Sequence, residues 1–256
     1  MSAPIATLSM YDWPETQITL DGFWEQISNN LKKSGIEAPS NLTRDEEVTP
    51  LWTDKNLLVG QTCGWPYANR LRGKVVPFAR FDYGLKDCPP GYYNSVYIGR
   101  SPEDRKYLQN RYSLLSVGKI AINGDDSQSG FHVFREITGE DSPLAISAEK
   151  REITGSHRNS VKSVAEGNAQ IAAIDAVAFE LSKRYDPELA SRVVVIGNSV
   201  PKPGLPLITS LTNNARTKTI YEAIDSAITT LSDAERDTLL IAGLAPASDP
   251  DYEEFL

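Results

Sequence analysis

The chain reads as an α/β protein built in two lobes. Short apolar, β-prone stretches alternate with helical periodicities, the pattern restarts beyond Arg100, and Pro201, Pro203 and Pro206 break the chain before its last helices. Alternation of this kind favours mostly parallel sheets flanked by helices. The restart predicts a second core, and the proline stretch a return crossing. Lobe 1 is accordingly placed at 1–97 and 201–256, and lobe 2 at 98–200. A length of 256 residues leaves room for two cores, each of roughly 100–150 residues.

Ile5 to Met10 predicts a first buried strand. Gln17 to Lys33 repeats Ile18, Phe23, Ile27 and Leu31 near a helical period and is closed by Gly35. Ser40 to Thr53 is a polar connection. Leu57 to Val59 predicts a strand, Pro66 to Leu71 a short helix, Val75 to Phe81 a strand, and Tyr92 to Ile98 a strand leaving the first lobe. In the second lobe, Asp104 to Asn110 reads as helical, Lys119 to Ile122 as a strand and Ser129 to Thr138 as a helix. A strand over Arg151 to Ile153 precedes a helix over Ser156 to Glu166, stopped by Gly167. Ile171 to Ile174 and Arg192 to Ile196 read as strands around a helix over Ala176 to Arg184. Leu207 and Ile208 re-enter the first sheet. Two helices follow, Asn213 to Leu231 and Asp233 to Ala242, with Ser232 capping the second.

Bulk properties exclude several classes. A net charge of −8 argues against a general nucleic-acid surface, which needs a basic stripe; it does not exclude a small anion in a cleft, where local dipoles govern. No stretch approaches the ~20 apolar residues of a membrane span. Met1 to Met10 has neither the basic nor the apolar region of a secretory signal, so the chain as written reads as cytoplasmic, or as periplasmic if a leader has been trimmed. Cys63 and Cys88 read as small half-buried side chains, the other readings being a disulfide or a reactive thiol. These cysteines, with His132 and His157, lack the paired spacing of a zinc site, so neither metal nor cofactor is expected.

The chemistry concentrates in three turns that read as helix entrances: Asp126 to Gly130, Thr154 to His157 and Gln61 to Gly64. Each follows a strand-like stretch. A helix start offers unpaired N–H groups and partial positive charge, to which hydroxyls add donors. Ser127 and Ser129 read as anion donors or as caps. His157 donates an N–H to an oxyanion or sits as a solvated loop residue. Asp175 pairs with a ligand cation or hydroxyl, or caps the next helix. Tyr11, Asp12 and Trp13 line a site or plug a sheet edge. Gln61, Thr62 and Cys63 supply donors, or form a tight turn in which Gly64 relieves strain. A Cys63–His157 nucleophile–base pair lacks a third, orienting group.

Taken together, Met10 to Glu15 (Met-Tyr-Asp-Trp-Pro-Glu), Gln61 to Pro66 (Gln-Thr-Cys-Gly-Trp-Pro), Asn123 to Gly130, Thr154 to His157, Ala172 to Asp175 and Pro203 to Pro206 carry a resemblance. In this order, over roughly residues 10 to 210, they resemble the substrate-binding proteins of phosphate, phosphite and phosphonate ABC importers. The resemblance implies the type II periplasmic-binding-protein fold, two Rossmann-like lobes joined by two crossover strands, with a small anionic ligand closed between them and an ABC permease as partner. It implies that Ser127, Gln128, Ser129 and Gly130 hold the oxyanion, with Gln128 in place of a middle hydroxyl. Ser156 and His157 add donors, a residue resembling Asp175 recognises an amine, and Tyr11 and Tyr93 line the site, Tyr92 adjoining the latter. Two other readings stand beside it. One is a cytoplasmic enzyme on the same scaffold, similar to menaquinone- or thiamin-pathway proteins, using Cys63, His157 and Asp175; the other is an orphan sensor domain.

Overall fold

The computed structural model describes residues 3–44, 47–139 and 146–256. The chain forms two compact units, Met1–Tyr92 with Pro203–Leu256, and Tyr93–Lys202. In chain order the strands are β1 (Ile5–Thr7), β2 (Leu57–Gln61), β3 (Val75–Asp82), β4 (Tyr92–Tyr93), β5 (Ser95–Gly99), β6 (Ile120–Ile122), β7 (Arg151–Ile153), β8 (Ile171–Asp175), β9 (Val194–Asn198), β10 (Lys202–Pro203), β11 (Pro206–Ser210) and β12 (Gly243–Pro246). β4 and β10, the two passages of the chain between the units, pair with each other.

The first unit holds a sheet ordered β1-β2-β11-β3-β12. Successive residues of a strand face opposite sides, and here Leu207 joins one core while Ile208 joins the other. On the first face lie the helices Gln17–Lys33 and Thr217–Thr230. On the second, Trp52, Tyr67, Leu71, Tyr252 and Phe255 pack together. The first helix buries Leu20, Phe23, Trp24, Ile27 and Leu31. Ile18, expected on that face, is 89% exposed: two residues before Leu20, it lies about 200° round the helix from it.

The second unit holds a sheet ordered β7-β6-β8-β5-β9. β7, β6 and β8 run parallel, while β5 is antiparallel to β8 and β9. Its core gathers Tyr97, Leu114, Ile120, Ile122, Phe131 and Phe134.

Neither sheet is as uniformly parallel as expected. β11 runs antiparallel to β2 and β3, and β12 antiparallel to β3. The reason is topological. β5 starts at Ser95 opposite Asp175, the end of β8, and Leu207 of β11 lies opposite Gln61, the end of β2. A strand entering from the carboxyl edge of its neighbours has to run back along them.

Two further expectations change. The helix expected to reach Ala242 stops at Leu239, where Leu240 takes φ +58°. The chain then adds β12 and a 3-10 turn, Asp249–Phe255, neither legible in a short edge strand ending in proline. The helix expected over Ser129 to Thr138 is a chain of turns: a 3-10 segment His132–Phe134 and a short α-helix Arg135–Thr138. No helix among the described residues is long and apolar enough to cross a membrane.

Candidate functional site

Because β6, β7 and β8 run parallel, their carboxyl ends share one edge, the place where open α/β sheets take ligands. Each end runs into a polar turn. β6 gives Asn123 to Gly130, β7 gives Thr154 to His157, and β8 ends in Asp175. The second opens the α-helix His157–Glu166, capped by the Ser156 hydroxyl, which accepts from the Asn159 N–H at 3.1 Å, and the third opens the α-helix Ala176–Tyr185; the first opens no regular α-helix directly. In the first turn, the His132 N–H reaches Ser127 O at 2.9 Å and the Val133 N–H reaches Gln128 O at 2.8 Å, five residues back. That wide winding follows Phe131, at φ −136°. The macrodipole argument therefore holds at His157, while the Ser127 to Gly130 turn works through its individual N–H and O–H groups.

His157 joins the three turns. Its Nδ1 accepts the Asp175 backbone N–H at 3.4 Å, so the proton sits on Nε2, which lies 2.9 Å from the Ser129 hydroxyl. The residue is half-buried, and enclosure of the ring pushes its pKa down to about 4, because burial disfavours the charged imidazolium. A neutral imidazole donating to Ser129 fills one lone pair of that hydroxyl and leaves its proton to point elsewhere. This is the tautomer of a donor chain and not of a general base, which would have to accept the serine proton.

The turn is held from several sides. Ser95 Oγ donates to Ser129 O at 2.9 Å, and the Ser95 N–H donates to Ser199 Oγ at 2.9 Å. Ser127 Oγ accepts from the Gly130 N–H at 3.0 Å. A Cβ on Gly130 would lie 1.8 Å from Asn123 Oδ1 and 3.2 Å from His157 Cε1, so any side chain there forces Asn123 to move. Ser127, Gln128 and Ser129 are all buried. Among the described residues, the backbone N–H groups of Gln128 and Ser129 and the Gln128 side chain make no hydrogen bond. Donors left open in this way are available to an acceptor.

Asp175 is 2% exposed and its Oδ1 accepts from the N–H groups of Val177 and Ala178 at 2.8 and 3.2 Å. It is an N-cap. Asp125 pairs with Arg151 at 3.1 Å, which balances that carboxylate at the turn.

The carboxyl ends of β1 and β2 in the first unit carry the other expected residues except Tyr93, which begins the second unit, and β3 ends beside Tyr83. The Tyr11 ring meets Tyr83 edge-on at 5.1 Å between centroids, and Gln61 Nε2 donates to Tyr83 Oη at 3.3 Å. Thr62 is fully buried: its N–H is taken by Pro206 O at 3.1 Å, while its hydroxyl has no partner among the described residues. Asp12 is ion-paired to Arg44 at 2.5 Å. Cys63 precedes a one-turn helix, Gly64–Pro66. Gly64 relieves no strain, since its φ is not positive; its missing Cβ makes room for the Phe255 ring, which a Cβ would meet at 2.5 Å. Tyr93 is buried at the end of β4, two residues ahead of Ser95. Cys63 and Cys88 form no disulfide, and among the described residues no cluster of three or more His, Cys, Asp or Glu could hold a metal.

Sequence reasoning missed Ser95, Ser199 and Tyr83 and did not set Asn123 among the site residues. Asn123 opens the Asn-x-x-Asp-Ser-x-Ser-Gly loop and was the findable one; Ser95 and Ser199 reach the site only because β5 and β9 pair.

Solved structures with the same fold include the binding-protein component of an ABC phosphonate transporter from Pseudomonas aeruginosa, at TM-score 0.69 and 17% identity over 98% of this chain and 84% of that one. PhnD1 from Prochlorococcus marinus in complex with methylphosphonate matches at TM-score 0.66 and 14% identity, over 93% and 91%. XAC2383 from Xanthomonas citri bound to ATP matches at 0.66 and 14%, over 99% and 96%. These likenesses show the type II periplasmic-binding-protein fold. No curated protein matches the sequence. The family model described as ABC transporter, phosphonate, periplasmic substrate-binding protein matches residues 51–252, most of the chain. The chain therefore belongs to that family, one of transport binding proteins and not of enzymes.

Proposed function

We propose that this protein captures a small tetrahedral oxyanion of the phosphonate, phosphite or phosphate class and delivers it to the permease of an ABC importer. The observation that carries the reading is the Ser129 hydroxyl. With the proton of His157 on Nε2, 2.9 Å from that oxygen, the hydroxyl keeps its own proton for another acceptor, and the N–H groups of Gln128 and Ser129, without a partner among the described residues, lie in the same turn. Neutral donors of this sort bind an anion through charge-assisted hydrogen bonds, strengthened where water is excluded. Ser127, Gln128, Ser129, Gly130, Ser156 and His157 form the anion-holding set. Tyr11, Gln61, Thr62 and Cys63 in the first unit and Tyr93 in the second are the further ligand contacts we propose, with Asp12 held by Arg44. Asp175 serves as the cap that orients His157, so the reading does not require an amine on the ligand.

A thermal-shift and calorimetric series with methylphosphonate, phosphite, phosphate and sulfate tests this. Micromolar binding implies a stabilisation of about 3–4 kcal/mol at millimolar ligand, a rise in Tm of roughly 6–16 °C for a chain of this size. No shift with any phosphorus oxyanion at millimolar concentration overturns the reading.

A further inference from the structure

The 3-10 turn Asp249–Phe255 at the end of the chain touches three things at once, all within the first unit. Tyr252, fully buried, donates its Oη to Gly204 O at 2.9 Å, and the Gly204 N–H donates to Gly91 O at 2.9 Å. Gly204 and Gly91 flank the two passages, Tyr92–Tyr93 and Lys202–Pro203. Asp251 lies 3.3 Å from Arg80, a buried arginine of β3 whose guanidinium sits 5.1 Å over the Tyr92 ring. At its far end the turn packs Phe255 onto Gly64, immediately after the Gln61–Cys63 turn. Asn69 Nδ2 donates to Phe255 O at 2.8 Å, and Tyr67 Oη bonds Asp249.

The fit is close throughout. A Cβ on Gly91 would meet Ala245 at 2.5 Å and Arg80 Nε at 3.0 Å, and one on Gly204 would meet Gly91 O at 2.7 Å. Gly91 also takes φ +74°, a conformation that favours glycine. Interiors packed to this density shift as pieces and do not deform smoothly. We propose that the terminal turn is a strut: through the positioning residues Tyr252 and Arg80 it ties both passages and the Gln61–Cys63 turn into one mechanical piece. Neither residue need touch the ligand. The strut would set binding strength by keeping the Gln61–Cys63 turn in register with the passages instead of letting each fluctuate alone, since every independently mobile group adds an ordering cost to binding.

The test is Tyr252→Phe, which keeps the ring and removes the Oη to Gly204 bond. Arg80→Lys is a second variant that keeps the charge and loses the flat stack on Tyr92. In the ligand-free chain, hydrogen exchange is expected to quicken together, about 10-fold, over residues 61–64, 91–93 and 203–205, the factor that about 1.4 kcal/mol of lost local stability gives. Helix Thr217–Thr230 should be unmoved. Ile224→Val, a core change in that helix, is the control and should not reproduce the pattern. Methylphosphonate affinity should fall about 10-fold in Tyr252→Phe and stay at the wild-type value in Ile224→Val. The strut is overturned if exchange quickens only beside Gly204, or equally across the whole first unit. A wild-type chain that binds no methylphosphonate would count against the proposed function, while the exchange pattern would still decide the strut.

Discussion

The two units present different chemistry at equivalent places. In each, parallel strands end at one edge and the turns beyond them carry the candidate residues. The second unit gathers hydroxyls, N–H groups without a partner among the described residues and one enclosed imidazole there, linked by hydrogen bonds among β6, β7, β8 and β5. The first unit offers aromatic rings, an amide and the buried Thr62 hydroxyl, and the Asp12 carboxylate there is paired with Arg44, which Asp21 also meets. The difference teaches what each edge can do chemically: on the proposed function, the donors of the second unit suit a negative charge, while the first unit offers mainly rings and neutral polar groups. Structural support differs as well. The donor turn is braced locally by Ser95 and Asn123, whereas the Gln61–Cys63 turn leans on a segment nearly two hundred residues further along the chain.

The strongest way to break this comparison is Gly130→Ala. Its Cβ would fall 1.8 Å from Asn123 Oδ1, displacing Asn123 or the turn itself, and calorimetry is expected to show no methylphosphonate binding. An alanine variant that still binds as wild type would mean the donor turn is not the anion site. Next comes Ser129→Ala. Removing one hydrogen bond to a charged group costs about 1.5–3 kcal/mol, roughly 10- to 150-fold in Kd. The matching first-unit change, Gln61→Ala, is expected to cost less; equal losses would erase the asymmetry.

Acid titration sharpens the contrast in another way. Burial holds both His157 and His132 at about 4, below the ordinary 6.5. Between those values the unfolded chain binds more protons than the folded one, so stability rises with pH there and is lost as pH falls from about 6.5 towards 4. Denaturant midpoints measured from pH 4 to 8 should show this loss, and His157→Asn should make it shallower. An unchanged slope would show that His157 is not neutral in the folded state.

Thr62→Val replaces a buried, unpartnered hydroxyl by a methyl of similar shape, so the ligand-free Tm should hold or rise. Affinity should drop about 10-fold where that hydroxyl meets the anion; no drop removes Thr62 from the site. The smallest effect is expected from Asp175→Asn. Asparagine caps about as well as aspartate, so both Tm and methylphosphonate affinity should stay near wild type. A large loss of affinity would return Asp175 to the ligand's shell.

Much of this was legible in the residues themselves. Helix Gln17–Lys33, the cap at Ser156, the stop at Gly167 and the order of the polar turns are local facts, set by periodicity, hydroxyl caps and glycine within a few residues of where they act. The motifs Asn123 to Gly130 and Thr154 to His157 marked out the two polar turns that follow β6 and β7. What the chain order could not say is which strand lies beside which. Pairing of β5 with β8 and β9 brought Ser95 and Ser199 to the donor turn and turned each sheet mixed where a parallel one was expected. His157 shows the same limit: the sequence left an oxyanion donor at a helix start and a solvated loop histidine both open, and it is enclosure of the ring, with the Asp175 N–H on Nδ1, that holds it neutral in the folded chain. Local conformation follows from short-range sterics and capping, which sequence displays; protonation state and mutual support depend on distant segments packed together, and only the folded chain decides those.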